Sequence, residues 1–239
     1  MFTQLFLSAL LLFSLFLLSQ KIQTSVFNNI FIFTNNKNIA IGVLVVLLLP
    51  GTLIHELAHF LVATILRVPT GELTVIPSIE KNGEVKAGRL FLGDTDPFRL
   101  SLIGLAPILI GLFLIYLFGK LFVPYFFQLQ TTNHQLIIIL GIYLLFVVSL
   151  TMFSSKKDMQ GLVITGPISL IFIIALYFVG VRVFLENNLL QKIESILKDL
   201  NYYLLITAVI NYLVFLILTI NLALWSRFLG TKNRGSSIY

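Results

Sequence analysis

The second long apolar run of the chain, residues 39–66, reads IAIGVLVVLLLPGTLIHELAHFLVATIL. It exceeds the roughly 20 apolar residues that a helix needs to cross the hydrocarbon core of a bilayer. Its ionisable side chains are confined to His55, Glu56 and His59. Ionisable groups inside a membrane helix are costly unless they are paired, and they are functional by default. This stretch therefore predicts both a membrane-spanning helix and a site within it.

The composition of the whole chain supports a membrane protein. Of the 239 residues, 58% are hydrophobic and 11% are charged, whereas soluble domains average about 45–50% apolar and roughly 25% charged residues. The remaining apolar runs predict an all-α membrane protein, a bundle of about six transmembrane helices in a single domain that covers residues 1–239. The predicted spans are residues 1–20, 39–66, 98–123, 135–153, 161–185 and 203–226.

Two connecting segments have predicted structure of their own. Residues 70–95 mix polar and apolar side chains around Asn82-Gly83, a dipeptide typical of tight turns, and predict a small β-hairpin or sheet between the second and third spans. Residues 186–200 repeat leucine and isoleucine at helical spacing, which predicts an amphipathic helix in the interface. Residues 1–20 lack the basic start of a cleaved signal peptide and are interpreted as a retained span.

The basic residues predict an orientation in the membrane. Six crossings place both termini on one side, which then receives ten of the 16 Lys and Arg residues. The positive-inside rule therefore favours a multi-pass integral membrane protein with cytoplasmic termini. No basic cluster is interleaved with exposed aromatic residues in this sequence, so nucleic acid is not expected as a partner. The expected partners are the lipid bilayer and a membrane-protein or peptide substrate.

The spacing of His55 and His59 is typical of two zinc ligands. Positions i and i+4 lie on one face of a helix, so both imidazoles can reach one ion. The chain contains no cysteine, and any metal must therefore be bound by His, Asp or Glu. Glu56 lies beside the pair, where it can take a proton from a metal-activated water. The motif predicts one Zn²⁺ per chain and Glu56 as the catalytic residue.

A third metal ligand has to come from elsewhere, because catalytic zinc usually has three protein ligands. Asp158 is the best candidate, since its loop joins the fourth and fifth spans on the membrane side where the 39–66 helix ends. His134 lies in a loop on the opposite side, so the topology argues against it. Other acids on the favoured side belong to the hairpin region, where solvation explains them: Glu72, Asp94 and Asp96.

These residues together resemble the site-2 protease family of intramembrane zinc metalloproteases. The resemblance covers roughly residues 39–175 and includes four features: HELAH at 55–59, the β-like stretch after it, Gly104-Leu105-Ala106-Pro107 in the third span, and the segment 154–161 around Asp158. It implies that His55, His59 and Asp158 bind zinc and that Glu56 is the catalytic base and acid.

The chain departs from the pattern of that family at three points. Met159 follows Asp158 where the family usually has a glycine, and the asparagine that often follows the Gly/Pro segment of the third span is missing. The sequence also shows no PDZ or CBS domain. The chain is therefore similar to a minimal or divergent member.

Three functions stay open on the sequence. The first is a zinc-dependent intramembrane endopeptidase that cleaves membrane-protein substrates by metal-activated water. The second is a non-catalytic membrane zinc-binding protein or an ion transporter, since transporters also place ionisable groups in their spans. The third is another membrane zincin, which takes its third ligand from a glutamate and acts on soluble or lipidated peptides.

Overall fold

The structure is a computed structural model that describes residues 1–74, 78–79, 85–86, 89–126, 135–153, 158, 160–178 and 186–228. Six helices and four short strands make up the described part. In chain order they are α1 (Phe2–Thr34), α2 (Lys37–Ile65), β1 (Thr70–Thr74), β2 (Ser78–Ile79), β3 (Val85–Lys86), β4 (Arg89–Leu92), α3 (Pro97–Phe126), α4 (Gln135–Thr151), α5 (Gln160–Phe178) and α6 (Asn187–Phe228).

The helices carry the length and the apolar surface of a membrane protein. Among the described residues, segments of α1, α2, α3 and α6 are each long and apolar enough to cross a bilayer, and α4 is a shorter apolar helix of 17 residues. Large side chains such as Phe6, Val46 and Ile65 are more than two-thirds exposed. Such surface is stable in lipid, and the protein is therefore an α-helical membrane protein.

Helix α1 is longer than predicted. The sequence predicts a span that ends at residue 20 and a polar connection after it, but the helix continues to Thr34. The polar side chains in the extension are paired inside the bundle: Gln23 Nε2 donates to the Leu150 carbonyl (3.0 Å), and Asn29 Nδ2 donates to the Leu218 carbonyl (3.1 Å). Pairing removes the cost of burying an amide in an apolar bundle, which hydropathy alone does not register.

Helix α6 corrects the prediction of an interfacial helix followed by a separate span. It is one continuous helix of 42 residues. It also runs parallel to α1: Ser8 Oγ donates to Asn201 Oδ1 (2.7 Å) near both amino-terminal ends, and Asn29 reaches Leu218 near both carboxyl-terminal ends. Six successive crossings would make these two helices antiparallel, so the predicted order with both termini on one side is wrong for this pair.

Helices α4 and α5 follow one another along α3. Gly141 of α4 lies against Phe122, and Thr165 of α5 makes a 2.6 Å hydroxyl–hydroxyl hydrogen bond with Ser101. As the numbering of α3 falls from Phe122 to Gly111, that of its partners rises from Gly141 to Met152, so α4 runs antiparallel to α3. Asp158 lies in the break between α4 and α5, against Gly104 of α3. Hydropathy counts two apolar runs here but does not show that both contact α3.

A small β segment connects α2 to α3. Strands β1 and β4 pair antiparallel, with Thr70 opposite Leu92 and Thr74 opposite Arg89, and β2 pairs antiparallel with β3. The predicted Asn82-Gly83 turn lies outside the described residues, as do residues 179–185 of the predicted fifth span.

Candidate metal centre

The two histidines of the HELAH motif lie one helical turn apart on α2, at its contact with α3 and α4. Their Nε2 atoms are 3.2 Å apart, and the rings meet nearly edge to face at 83°. Gly51, one turn before His55, allows the close approach of α4, because a Cβ there would collide with the side chains of Val147 and Thr151. The lack of a side chain at one position thus brings a second helix to the motif.

Both imidazoles are held through Nδ1 by main-chain carbonyls. His55 Nδ1 lies 2.6 Å from the Thr151 carbonyl oxygen of α4, and His59 Nδ1 lies 2.8 Å from the Ile103 carbonyl oxygen of α3. A carbonyl can only accept a hydrogen bond, so each Nδ1 must donate its proton. A neutral imidazole that donates through Nδ1 presents its Nε2 lone pair, here to the space between the two rings. Metal-binding histidines are oriented in the same way by their second nitrogen.

Asp158 completes the group from the break between α4 and α5. Its Oδ2 atom lies 3.9 Å from Nε2 of His55 and 3.8 Å from Nε2 of His59. Gly104 of α3 makes this position accessible, since a Cβ on it would overlap the carbonyl oxygen of Asp158. The ligand atoms of the three residues all lie within 4.8 Å of one another and can hold a metal ion.

The donor set fits a zinc ion. Tetrahedral zinc with bonds of about 2.0–2.1 Å holds its ligand atoms about 3.3 Å apart. The two Nε2 atoms are at that separation, and the carboxylate oxygen is within about 0.6 Å of it. Two lone pairs that face each other at 3.2 Å repel unless a cation or a shared proton lies between them. Two nitrogens and a carboxylate oxygen, with no thiolate, form a familiar catalytic zinc ligand set.

The surroundings favour a cation, and they cover most of the surface of the three side chains. The side chains of His55, His59 and Asp158 are 13%, 8% and 24% exposed. The carbonyl that contacts His55 Nδ1 belongs to Thr151, the last residue of α4. The carboxyl-terminal end of a helix carries a partial negative charge, which favours a cation nearby. His55 lies ten residues before the end of α2 at Ile65, about 15 Å along the axis.

Glu56 lies next to the three candidate ligands and is not a member of that group. It is buried, at 8% exposure, and its carboxyl interacts electrostatically with Asp158. One residue along a helix turns the side chain by about 100°, so Glu56 is on the face beside the histidine pair. An acid at this position can exchange a proton with a molecule bound at the centre.

The other acids considered from the sequence lie away from the centre. Glu72 and Asp94 are exposed. Asp96 caps α3, since its Oδ1 accepts from the backbone N–H groups of Phe98 and Arg99 at 3.0 Å, and the Arg99 bond holds the pKa of this carboxyl below its usual value. His134 lies outside the described residues.

The main-chain partners of the histidines were not predicted from the sequence. A pattern of side chains does not reveal which carbonyls are free, and the sequence pointed to the segment from Gly104 to Pro107 only through a family resemblance. One usable signal was present: a proline inside an apolar helix leaves the carbonyl four residues earlier without its helical partner. Pro107 marks the Ile103 carbonyl in this way.

Comparison with known proteins finds no matching family model, no matching curated protein and no matching solved structure. Function therefore has to be inferred from the geometry of this chain's own residues.

Proposed function

We propose that the protein is a zinc-dependent intramembrane endopeptidase, the activity implied by its resemblance to the site-2 protease family. The observation that carries the proposal is the convergence of His55, His59 and Asp158 on one point of a membrane helix, with the buried Glu56 beside them. Ion-binding groups and a spare acid at such a depth are costly unless they serve a function.

The assignment of zinc follows from ligand chemistry. His55 and His59 supply neutral imidazole nitrogens, and Asp158 supplies one carboxylate oxygen, which leaves a tetrahedral ion one open position. A zinc ion held there supplies Lewis-acid polarisation of a carbonyl and brings the pKa of a water ligand to about 7. The Thr151 carbonyl of α4 contacts Nδ1 of His55, and the Ile103 carbonyl contacts Nδ1 of His59. These contacts keep both Nε2 atoms directed at the site.

Glu56 is the proton carrier in this proposal. Its carboxylate takes a proton from the attacking water, and the resulting acid gives the proton to the amine that leaves when the peptide bond breaks. Burial of the side chain keeps bulk water from competing for these transfers. Substrate enters from the bilayer, because the site lies well inside the apolar length of α2.

The orientation proposed from the charges still applies to the amino-terminal half. The two-residue turn at Asn35-Asn36 makes α1 and α2 antiparallel, so the start of α1 and the β segment lie at the same end. Arg67 and Arg99 flank that segment, and the positive-inside rule favours a cytoplasmic location for this end. Because α6 runs parallel to α1, we propose that the end of α6 lies on the opposite side.

The test is Glu56→Gln with Glu72→Gln as the matched control, since Glu72 is an exposed acid on β1. The protein is reconstituted in liposomes with a single-pass membrane substrate. We expect Glu56→Gln to keep its zinc and to lose cleavage by about 10²- to 10⁴-fold, whereas the control cleaves normally.

Each rival function has its own outcome in this experiment. Full cleavage by Glu56→Gln contradicts the proposed role of the acid. Wild-type cleavage of soluble or lipidated peptides but not of the membrane substrate identifies a different membrane zincin. Zinc binding with no cleavage of either substrate by the wild type indicates a structural zinc site or an ion transporter.

A further inference from the structure

We infer that Pro107 is a positioning residue of the metal centre: by withholding a backbone N–H, it frees the Ile103 carbonyl to hold the His59 imidazole. The inference rests on the metal site of the proposed function, and it is independent of the catalytic role of Glu56. It gives a buried helix proline a chemical role.

The geometry follows from the hydrogen-bond pattern of an α-helix. The carbonyl of residue i normally accepts from the N–H of residue i+4, and position 107 is four residues after Ile103 within α3. Proline has no N–H, and its ring also pushes that carbonyl away from the helix axis. The Ile103 oxygen is instead 2.8 Å from His59 Nδ1.

Burial makes this pairing mutually dependent. Ile103 is 1% exposed and His59 is 6% exposed, so water is not a ready substitute for either partner. A buried carbonyl or N–H without a partner is costly. The free carbonyl thus selects the His59 ring that carries its proton on Nδ1, and this tautomer presents the Nε2 lone pair to Asp158 and the metal.

The partner of His55 explains why a proline is needed on α3 but not on α4. The Thr151 carbonyl lies at the carboxyl-terminal end of α4, where the last carbonyls of any helix lack intrahelical partners. The Ile103 carbonyl is in the first third of a 30-residue helix, where the N–H of a non-proline residue would occupy it. A proline is the local change that frees a carbonyl there without ending the helix.

The test compares variants of the full-length protein purified without metal. Pro107→Ala restores the N–H, and Pro107→Val restores it with a side chain of nearly the original volume. Pro124→Ala is the matched control, since Pro124 is on the same helix but 17 residues away, about 25 Å along the axis. The readouts are Co²⁺ affinity and the visible absorption of the bound ion, together with thermal unfolding of the metal-free form.

We expect both Pro107 variants to bind Co²⁺ about 10- to 100-fold more weakly and to alter its absorption spectrum. Losses of this size are typical when a metal-binding histidine loses the hydrogen-bond partner of its other ring nitrogen. Both metal-free variants should still unfold cooperatively, because alanine and valine are better helix formers than proline, which offsets part of the cost of a weakened His59 contact. Pro124→Ala should bind like the wild type. Unchanged affinity and spectrum at position 107, or equal losses in all three variants, would overturn the inference.

A second readout separates this inference from the proposed function. The readout is the NMR signal of the ¹⁵N-labelled histidine rings in metal-free protein, and His134→Asn removes the third histidine from the spectrum. With Pro107 in place, the His59 ring should carry its proton on Nδ1. Pro107→Ala should change the ¹⁵N signal of that ring. If the wild type binds no Co²⁺, the proposed function fails, yet this change still supports the positioning role. An unchanged His59 signal contradicts it.

Discussion

Asp158 is the residue that turns a pair of histidines into a candidate metal centre. It comes from the break between α4 and α5, and its carboxyl group supplies the oxygen donor of the candidate site. We expect Asp158→Ala to lower zinc affinity by at least 10-fold, because two neutral imidazoles alone leave the ion short of its usual three protein ligands. Asp94→Ala, which removes an exposed acid, should keep its metal.

Metal content after dialysis against a weak chelator measures this effect. Stoichiometric zinc in Asp158→Ala would mean that another side chain is the third ligand, as in the alternative membrane zincin.

The residues of the centre were predicted from the sequence to the extent that local spacing determines them. His55, Glu56 and His59 lie within five positions of one helix, so helical geometry alone predicts their arrangement. Asp158 was selected by a topology of six successive crossings, an order that the parallel α1–α6 pair does not follow. It nevertheless lies at the site, because the end of α4 and the first turns of α3 converge on α2 through close contacts that side-chain patterns do not reveal.

At the scale of elements, glycine contacts determine how closely the helices meet at the centre. Gly104→Ala would place a methyl group on the Asp158 carbonyl oxygen and move the break away from the histidines. Gly42→Ala is the control, since a Cβ at Gly42 meets nothing within 4 Å on an equally apolar helix. We expect zinc affinity to fall about 10-fold or more in Gly104→Ala only, because the displaced carboxylate belongs to the proposed ligand set.

Zinc titration with a competing chelator distinguishes the two variants. Equal affinities would show that the position of Asp158 does not depend on the lack of a side chain at Gly104. The control should be slightly more stable than the wild type, by up to about 1 kcal/mol, because alanine replaces glycine within a helix.

Helix boundaries were the least predictable part of the fold. Hydropathy ended the first span near Gln20-Lys21, whereas amide pairs from Gln23 and Asn29 to other helices let α1 continue to Thr34. The turn that follows was set by local chemistry: Asn35 adopts a left-handed conformation (φ 48°), and the Asn36 side chain caps α2. Hydrogen-bond partners distant in sequence therefore extend α1 beyond the predicted span. The residues next to its last turn determine where it ends and where α2 begins.

For the whole molecule, the parallel packing of α1 and α6 predicts a topology that differs from six antiparallel crossings. The chain has no cysteine, so single cysteines at exposed positions can be labelled without background. We expect Asn187→Cys, at the start of α6, to be labelled from the same side as Asp94→Cys. Lys37→Cys, at the start of α2, should be labelled from the opposite side.

Labelling with a membrane-impermeant maleimide, on intact and then on opened vesicles, decides between the two orders. Six full crossings would place position 187 with position 37 instead. That result would contradict the parallel packing of α1 and α6.

The most direct measurement of the central claim is the X-ray absorption spectrum of zinc in the purified wild-type protein, together with its metal content. We predict one zinc ion per chain, bound by two imidazole nitrogens and carboxylate oxygen at about 2.0–2.2 Å. A protein that binds no stoichiometric metal, or a spectrum without imidazole ligands, would contradict it.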